Sequence, residues 1–288
     1  MIRFGPAGNS ISFYQEGYKH TFEAMAWLKE KGLNAFEYSF GRGVRIKEDT
    51  ARRIGEEAKV NKIQLSVHAP YYINLANQDE EKFEKNIRYF MESAEAATWL
   101  GAKRVVFHPG SPGKQERGVA FANVKKNLLR MVALLKQAGY ADLLFCPETM
   151  GKINQIGNLE EIIALVNLDE ILLPIIDFGH LHTRGLGALN SEGDFERALL
   201  QLKEGLPTEK FEQLHIHFSK IEYTKMGEKQ HKTFADEGYG PDFENLAPLL
   251  VKYNMRPIII CESKGTMAED ASTMKIIYEK ALGGVKHA

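Results

Sequence analysis

The chain is predicted to fold as an α/β protein of the (β/α)₈ TIM-barrel type, with a single catalytic domain over residues 1–288. Three observations carry this expectation. Short apolar runs alternate with amphipathic stretches along the whole length, as a parallel sheet with helical crossovers requires. The runs number eight. Six of them end in a metal-ligand residue: SVHAP at His68, VVFHPGS at His108, LLFCPE at Glu148, IIDFGH at Asp177, LHIHF at His215 and IIICES at Glu262. Strands buried on both faces read as near-continuous apolar runs, and a barrel carries its catalytic residues at the carboxyl ends of several strands.

Taken in order, the first strand, near 2–5, precedes a stretch in which Phe22, Met25, Ala26, Trp27 and Leu28 recur at helical spacing up to a stop near Gly32. The second, near 34–39, leads into the loop S-F-G-R-G-V-R. The third, near 63–68, ends in His68, and after a long loop over 69–79 the residues Phe83, Ile87, Phe90, Met91 and Ala94 form a helix face that stops near Gly101. The fourth, near 103–108, delivers His108 to a loop over 109–117, and its helix stops near Gly139. The fifth, near 143–148, ends in Glu148, and the sixth, near 172–177, ends in Asp177 ahead of a loop over 178–194 and a helix stop at Gly205. The seventh, near 212–218, carries His215 and His217 two apart, which the period of a strand places on one face. A loop over 219–242 follows it, and the eighth strand, near 257–262, ends in Glu262. Long loops gathered at the ligand end point to substrate binding there.

A length of 288 residues suits one barrel of about 250 residues with extended loops. Hydrophobic residues at 44% and charged residues at 26% exclude a disordered or membrane-spanning chain. The amino terminus, MIRFGPAGNS, lacks the pattern of a secretory signal, so a cytoplasmic protein is expected. Cys146 and Cys261 lie inside strands and read as small core residues of a reducing compartment. The net charge of −1 does not advertise a nucleic-acid protein, yet phosphate affinity depends on where the cations sit. Arg42, Arg45, Lys114, Arg117, Lys152, Arg184, Lys220, Lys225, Lys229 and Lys232 all fall in loops of the ligand end.

Imidazoles and carboxylates together suit Zn²⁺, Mn²⁺ or Fe²⁺, and the lack of a cysteine cluster argues against a structural zinc finger. In D-F-G-H, Asp177 closes a strand and His180 follows. His231 joins the set from a loop; His217 reads as a ligand, a partner behind a ligand or a substrate contact, His182 as a substrate contact, and His20 and His287 as surface. One ion cannot use so many ligands. At least two ions sharing a carboxylate are expected, and phosphoester hydrolysis is the reaction that most needs them.

The pattern H-x-P-Y-x-I-N-L at His68, H-P-G-S at His108, Glu148, D-x-x-H at Asp177 and His180, His215, His231 and Glu262 resembles the endonuclease IV family of apurinic/apyrimidinic endonucleases. The resemblance spans almost the whole chain. It implies a TIM barrel with three zinc ions that cuts double-stranded DNA 5′ to abasic sites; for this chain two or three zinc ions, Mn²⁺ being an alternative, and a monomer are expected. By this resemblance His68, His108 and Glu148 hold one ion, and Glu148, Asp177, His215 and Glu262 a second. His180 and His231 hold the third, and Glu148 and Glu262 are the catalytic carboxylates. Tyr71 and Tyr72 match the position from which the family inserts side chains at the lesion.

Three departures stand out. Where the family has D-x-H, Lys229 occupies the Asp position, and Glu228 is the nearest substitute. The loop with Arg42 and Arg45 replaces the family's Asn/Arg segment, and E-T-M-G-K replaces E-N-T-A-G-Q-G after the fifth strand. The quartet Glu148, Asp177, His215 and Glu262 alone also resembles the single-metal sugar isomerase and epimerase branch of the same superfold. What discriminates is the additional set His68, His108, His180 and His231. A barrel that binds damaged DNA without cutting it is the non-enzymatic alternative.

Overall fold

A computed structural model describes residues 1–285, and His287 lies outside them. Eight parallel strands form the barrel wall: β1 (Arg3–Pro6), β2 (Ala35–Ser39), β3 (Gln64–His68), β4 (Arg104–Phe107), β5 (Leu144–Pro147), β6 (Ile175–Asp177), β7 (His215–Phe218) and β10 (Ile258–Cys261). They pair as β2-β3-β4-β5 and β6-β7-β10-β1. Bridges between Ala7 and Glu37 and between Glu148 and Ile175 close the two halves into one ring. Around them lie α1 (Ile11–Gln15), α2 (Thr21–Glu30), α3 (Glu48–Asn61), α4 (Glu80–Leu100), α5 (Arg117–Gln137), α6 (Leu159–Val166), α7 (Phe178–Arg184), α8 (Glu192–Gly205), α9 (Thr208–Glu212), α10 (Ala247–Lys252) and α11 (Met267–Val285). Among the described residues no helix is long and apolar enough to cross a membrane.

Helix α4 shows why the helices form where they do. The Asp79 side chain accepts from the Glu81 and Lys82 backbone N–H groups, and Gly101 ends the helix at φ 68°. Phe83, Phe90, Ala94, Ala97 and Leu100 turn inward at helical spacing. Each large apolar side chain buried this way contributes about 1.5–3 kcal/mol, and Asp79→Ala would cost about 1 kcal/mol. Phe90 meets Phe107 of β4 edge-on, with ring centres 4.9 Å apart. Gly205 departs from the expected stop: it is the last helical residue of α8.

Inside the ring, Ala35, Val106, Cys146, Ile175, Ile258 and Ile260 make small apolar clusters. Both cysteines are fully buried, and burial pushes each thiol up to about 12. Glu37, His215 and His217 interrupt this apolar filling with almost no exposure. Two segments expected as loops are ordered elements. Asp177 caps α7, accepting from the His180 N–H at 2.7 Å, so a helix starts directly at the end of β6. The segment after β7 folds into a hairpin of β8 (Lys220–Thr224) and β9 (Gly227–Lys232). Polar faces and alternating charges on this segment hide the strand signal, because a hairpin over the barrel rim is wet on one side.

Candidate metal centre

Parallel register fixes the height at which each ligand sits. Asp177 of β6 is in register with His217 of β7, whereas His215 is in register with Ile175. Two residues of strand span about 6.6 Å, so His215 lies one layer deeper. Glu148 follows β5, Glu262 follows β10, and His68 and His108 stand at the ends of β3 and β4. The result is one outer layer of ligands.

Among the described residues, four groups bring their ligand atoms within 4.8 Å of one another. They are His68, His108 and Glu148; Glu148, Asp177, His217 and Glu262; His180, Glu228 and His231; and, deeper, Glu37, His215 and His217. Glu148 belongs to two of them. Its Oε2 lies 3.2 Å from His68 Nε2 and 3.1 Å from His108 Nε2, while Oε1 lies 3.1 Å from His217 Nδ1. His180 Nε2 is 3.4 Å from Glu228 Oε2, and His231 Nε2 is 3.9 Å from Glu228 Oε1. No cysteine enters any of the four groups.

Neighbouring groups set the free nitrogen of each ring. His68 Nδ1–H donates to Ala69 O at 2.8 Å and His180 Nδ1–H to Thr149 O at 2.8 Å, which turns both Nε2 lone pairs into the cavity. His231 Nδ1 pairs with Ser219 Oγ at 2.8 Å. Asp177 Oδ2 is buried without a hydrogen-bond partner. An orphaned carboxylate oxygen among imidazoles and acids is what an N/O donor set for Zn²⁺ or Mn²⁺ requires, so these residues fit such ions.

The same crowding shifts protonation in the metal-free protein. Burial opposes charge on His68, but the Glu148 carboxylate outweighs it and raises the ring to about 9. Burial likewise opposes His180, yet Asp177 and Glu228 lift it to about 10. His108, against the same Glu148 oxygen as His68, is instead lowered, because burial and the nearby His68 and His180 outweigh the pull of Glu148. The two rings share one Glu148 oxygen and are pushed in opposite directions. Burial raises the Glu262 carboxyl, while Glu148 is held well below the carboxylate range against burial by His217, His108 and His68.

His68, His108, Glu148, His180, Glu228, His231 and Glu262 line a cavity of about 490 Å³, together with Ser39, Tyr71, Met150, Lys152 and Gln155. The loop carrying Lys152 and Gln155 is pinned by Arg184, which donates to Lys152 O at 2.8 Å and Gln155 O at 3.2 Å, and by Arg117, which donates to Gln155 O at 2.9 Å. On its other side the hairpin docks through Glu228 N–H to Gly151 O at 3.1 Å. A Cβ on Gly227 would sit 2.2 Å from Gly151 O, so this close approach needs glycine.

The structure thus brings together His68, His108, Glu148, Asp177, His180, His231 and Glu262, with Glu228 in the third group. One expectation needs correction. His215, expected beside Glu148, Asp177 and Glu262, instead faces Glu37 at 3.3 Å, and His217 takes its place. The shared face of a strand gives both histidines the same direction but not the same depth. His182 is buried away from the cavity, with its Nδ1 accepting from Leu189 N at 3.2 Å, and it lines a separate cavity of about 430 Å³. Tyr71 lines the cavity wall, its backbone N–H donating to Gly41 O at 3.3 Å. Tyr72, Arg42 and Arg45 stand on the rim outside the cavity lining. Sequence reasoning misses Glu37 and Gln155. A carboxylate in mid-strand, in A-F-E-Y-S, is the available signal for Glu37.

Comparison with known proteins agrees with this architecture. The profile of the family described as xylose isomerase-like TIM barrel matches residues 25–277. An uncharacterized protein of Methanocaldococcus jannaschii is 34% identical over 91% of this chain and 92% of its own. A probable endonuclease 4 of Listeria monocytogenes is 31% identical over 77% of this chain and 74% of its own. Among solved structures, endonuclease IV from Thermus thermophilus superposes with a TM-score of 0.69 at 21% identity, covering 98% of this chain and 99% of that one. A D-tagatose 3-epimerase-like protein superposes at 0.71 with 18% identity, covering 99% of each chain. At those identities the two structures speak for the fold alone. The chain belongs to the xylose isomerase-like TIM barrel family, as a divergent member with sequence relatives among the probable endonuclease 4 proteins.

Proposed function

We propose that the chain is one catalytic domain, a metal-dependent phosphodiesterase that cuts the DNA backbone 5′ to abasic sites. The observation that carries the reading is the shared position of Glu148: two ligand groups meet on its two oxygens, and a third, His180, Glu228 and His231, stands in the same cavity. Such a set suits two or three zinc or manganese ions. When bound, they lower the pKa of a water and offset the charge of a phosphoryl group.

The chain's own residues supply the rest. Glu148, with both oxygens engaged and 1% exposure, is a fixed wall of the site. Glu262 is less enclosed, lines the cavity, and is the carboxylate placed to take a proton from an incoming water. Lys152 and Gln155 offer donors to phosphate oxygens from a loop held rigid by Arg117 and Arg184. Tyr71, at the cavity wall, suits packing against an unpaired nucleotide. The same proposal has the enzyme working as a monomer in the cytoplasm on double-stranded DNA.

A ketose epimerase is the second reading, favoured by the quartet Glu148, Asp177, His217 and Glu262, whose ligand atoms converge closely enough for a single ion. It needs only Glu148, Asp177, His217 and Glu262, and leaves His68, His108, His180, Glu228 and His231 without a task. The test is incision of a labelled duplex bearing one abasic-site analogue, run beside epimerisation of a ketohexose. A single 5′ incision and no epimer is the expected result. Intact DNA with epimer formed would replace this reading with the second one.

A further inference from the structure

Strand β2 delivers no ligand to the outer layer, yet it carries Glu37 in its middle with 1% exposure. A charged side chain inside a barrel is costly unless something demands it. Glu37 is in register with Ser66 of β3, and Ser66 Oγ–H donates to Glu37 Oε2 at 2.8 Å. The other oxygen, Oε1, lies 3.0 Å from His217 Nε2. His215 Nε2 stands 3.3 Å from Oε2. Glu37 Oε1 and His217 Nε2 make no hydrogen bond elsewhere, so each is the other's natural partner.

From this geometry we infer that Glu37 is a positioning residue: it fixes the ring of His217 so that Nδ1 faces the metal centre. The inference rests on the reading of that centre as metal-loaded. A neutral imidazole has one proton and one lone pair. His217 Nδ1 points at Glu148 Oε1, 3.1 Å away, and at Glu262 Oε1, 3.5 Å away. Once the Nδ1 lone pair is given to an ion, the proton sits on Nε2, and Glu37 Oε1 is the acceptor in reach. A carboxylate behind a ligating histidine sets its tautomer and angle and strengthens it as a ligand. Ser66 and His215 steady Glu37 from the other side, which accounts for a second histidine on β7 one layer below the ligands.

A fourth ion held by Glu37, His215 and His217 is the competing use of the same atoms, since their ligand atoms also lie within 4.8 Å. His217 would then have to give both ring nitrogens to metals and lose both protons. All three side chains are also sealed beneath the outer layer, with exposure of 0–1%, so an ion has no separate way in.

The test compares wild type with Glu37→Gln, which keeps the shape but turns a fixed acceptor into an amide, after both are saturated with Zn²⁺. Zinc affinity is read by competition with a chromogenic chelator, and melting temperature is taken with and without zinc. The expected result is an unchanged zinc count at saturation with one class of site weakened about 10–100-fold. The gain in melting temperature on loading should also shrink. A merely structural role would lower both melting temperatures alike and leave the affinities unchanged. Ser66→Ala, which only loosens Glu37, should weaken the same class by less, and it carries the test if Glu37→Gln does not fold. Wild-type affinities in the variants would overturn the inference, as would loss of one whole ion at saturation, which would mark a fourth site. A wild type that binds no zinc would instead overturn the reading of the centre itself.

Discussion

The two mouths of the barrel are made by the same eight strands and end in different chemistry. At the carboxyl mouth, strand after strand closes on a histidine or an acid, two of the outer groups share Glu148, and all three reach one cavity. At the amino mouth, a cavity of about 330 Å³ is lined by Arg3, Gln64, Arg104, Glu212, Gln213 and Arg256 among others. Arg104 there is buried, with Nη2 donating to Gln213 O at 3.1 Å and Nη1 without a partner. One mouth converges lone pairs on a common volume. The other plugs the barrel with long side chains. The difference teaches that in this fold the direction of the strands, and not burial or charge as such, tells a working polar cluster from a structural one.

The sharpest way to break this contrast is to remove the residue that two ligand groups share. Glu148→Gln keeps the volume and loses the charge, so turnover on abasic DNA should fall by about 10²–10³-fold, as when a preorganised electrostatic group is deleted. Activity near wild type in single-turnover assays would mean that the shared carboxylate is not the centre of the site.

A second effect concerns the rim. Lys220, Lys229 and Lys232 are occupied by Asp242 and Glu222, and Arg117 and Arg184 by the 150–155 loop. Arg42, Arg45, Lys114, Lys152 and Lys225 remain accessible at the same mouth. If about four of these meet phosphates, raising salt from about 50 to 200 mM should weaken binding of abasic duplex roughly 10²-fold. A flat salt profile in fluorescence anisotropy would remove DNA from the list of ligands.

Arg104→Met should do far less at the opposite mouth. It loses one hydrogen bond but also relieves a buried, unpartnered Nη1, so chemical denaturation should shift by no more than about 2 kcal/mol, with turnover unchanged. A loss of turnover at constant stability would show that the amino mouth takes part in the reaction.

A further effect is one of pH on the metal-free protein. His68 and His180 have folded values raised to about 9 and about 10, above the value near 6.5 expected when unfolded. Their contribution to stability is therefore complete below about 6.5 and is lost as pH climbs through 9 to 10. The metal-free melting temperature should fall across that window. Zinc binding displaces those protons, so the gap between loaded and metal-free melting temperatures should widen with pH. A metal-free melting temperature that stays level from about pH 6.5 to 10 would contradict the assignment of these rings to the cluster.

Much of this is legible in the sequence itself. A ligand at the end of an apolar run announces itself, which is why His68, His108, Glu148, Asp177 and Glu262 can be read directly. Depth along a strand does not. His215 and His217 look alike in L-H-I-H-F, and the register between β6 and β7 separates them. Glu228 has no motif of its own in this sequence; the hairpin, pinned at Gly151, carries it to His180. Glu37 is hidden for the opposite reason, because a residue in mid-strand carries no marker of which layer of the barrel it will meet. Lysines and arginines in loops are the least legible, since pairing with Glu222 or with loop carbonyls depends on contacts far apart in the chain.

The most direct test of the account is the number of ions per chain, measured by inductively coupled plasma mass spectrometry on purified protein saturated with zinc and then freed of excess metal. Two or three zinc ions per chain are the expected result, because two of the outer ligand groups have only Glu148 in common and the third, His180, Glu228 and His231, shares no residue with them. A single ion would contradict the multinuclear centre and leave the quartet Glu148, Asp177, His217 and Glu262 as a one-metal site of the epimerase kind.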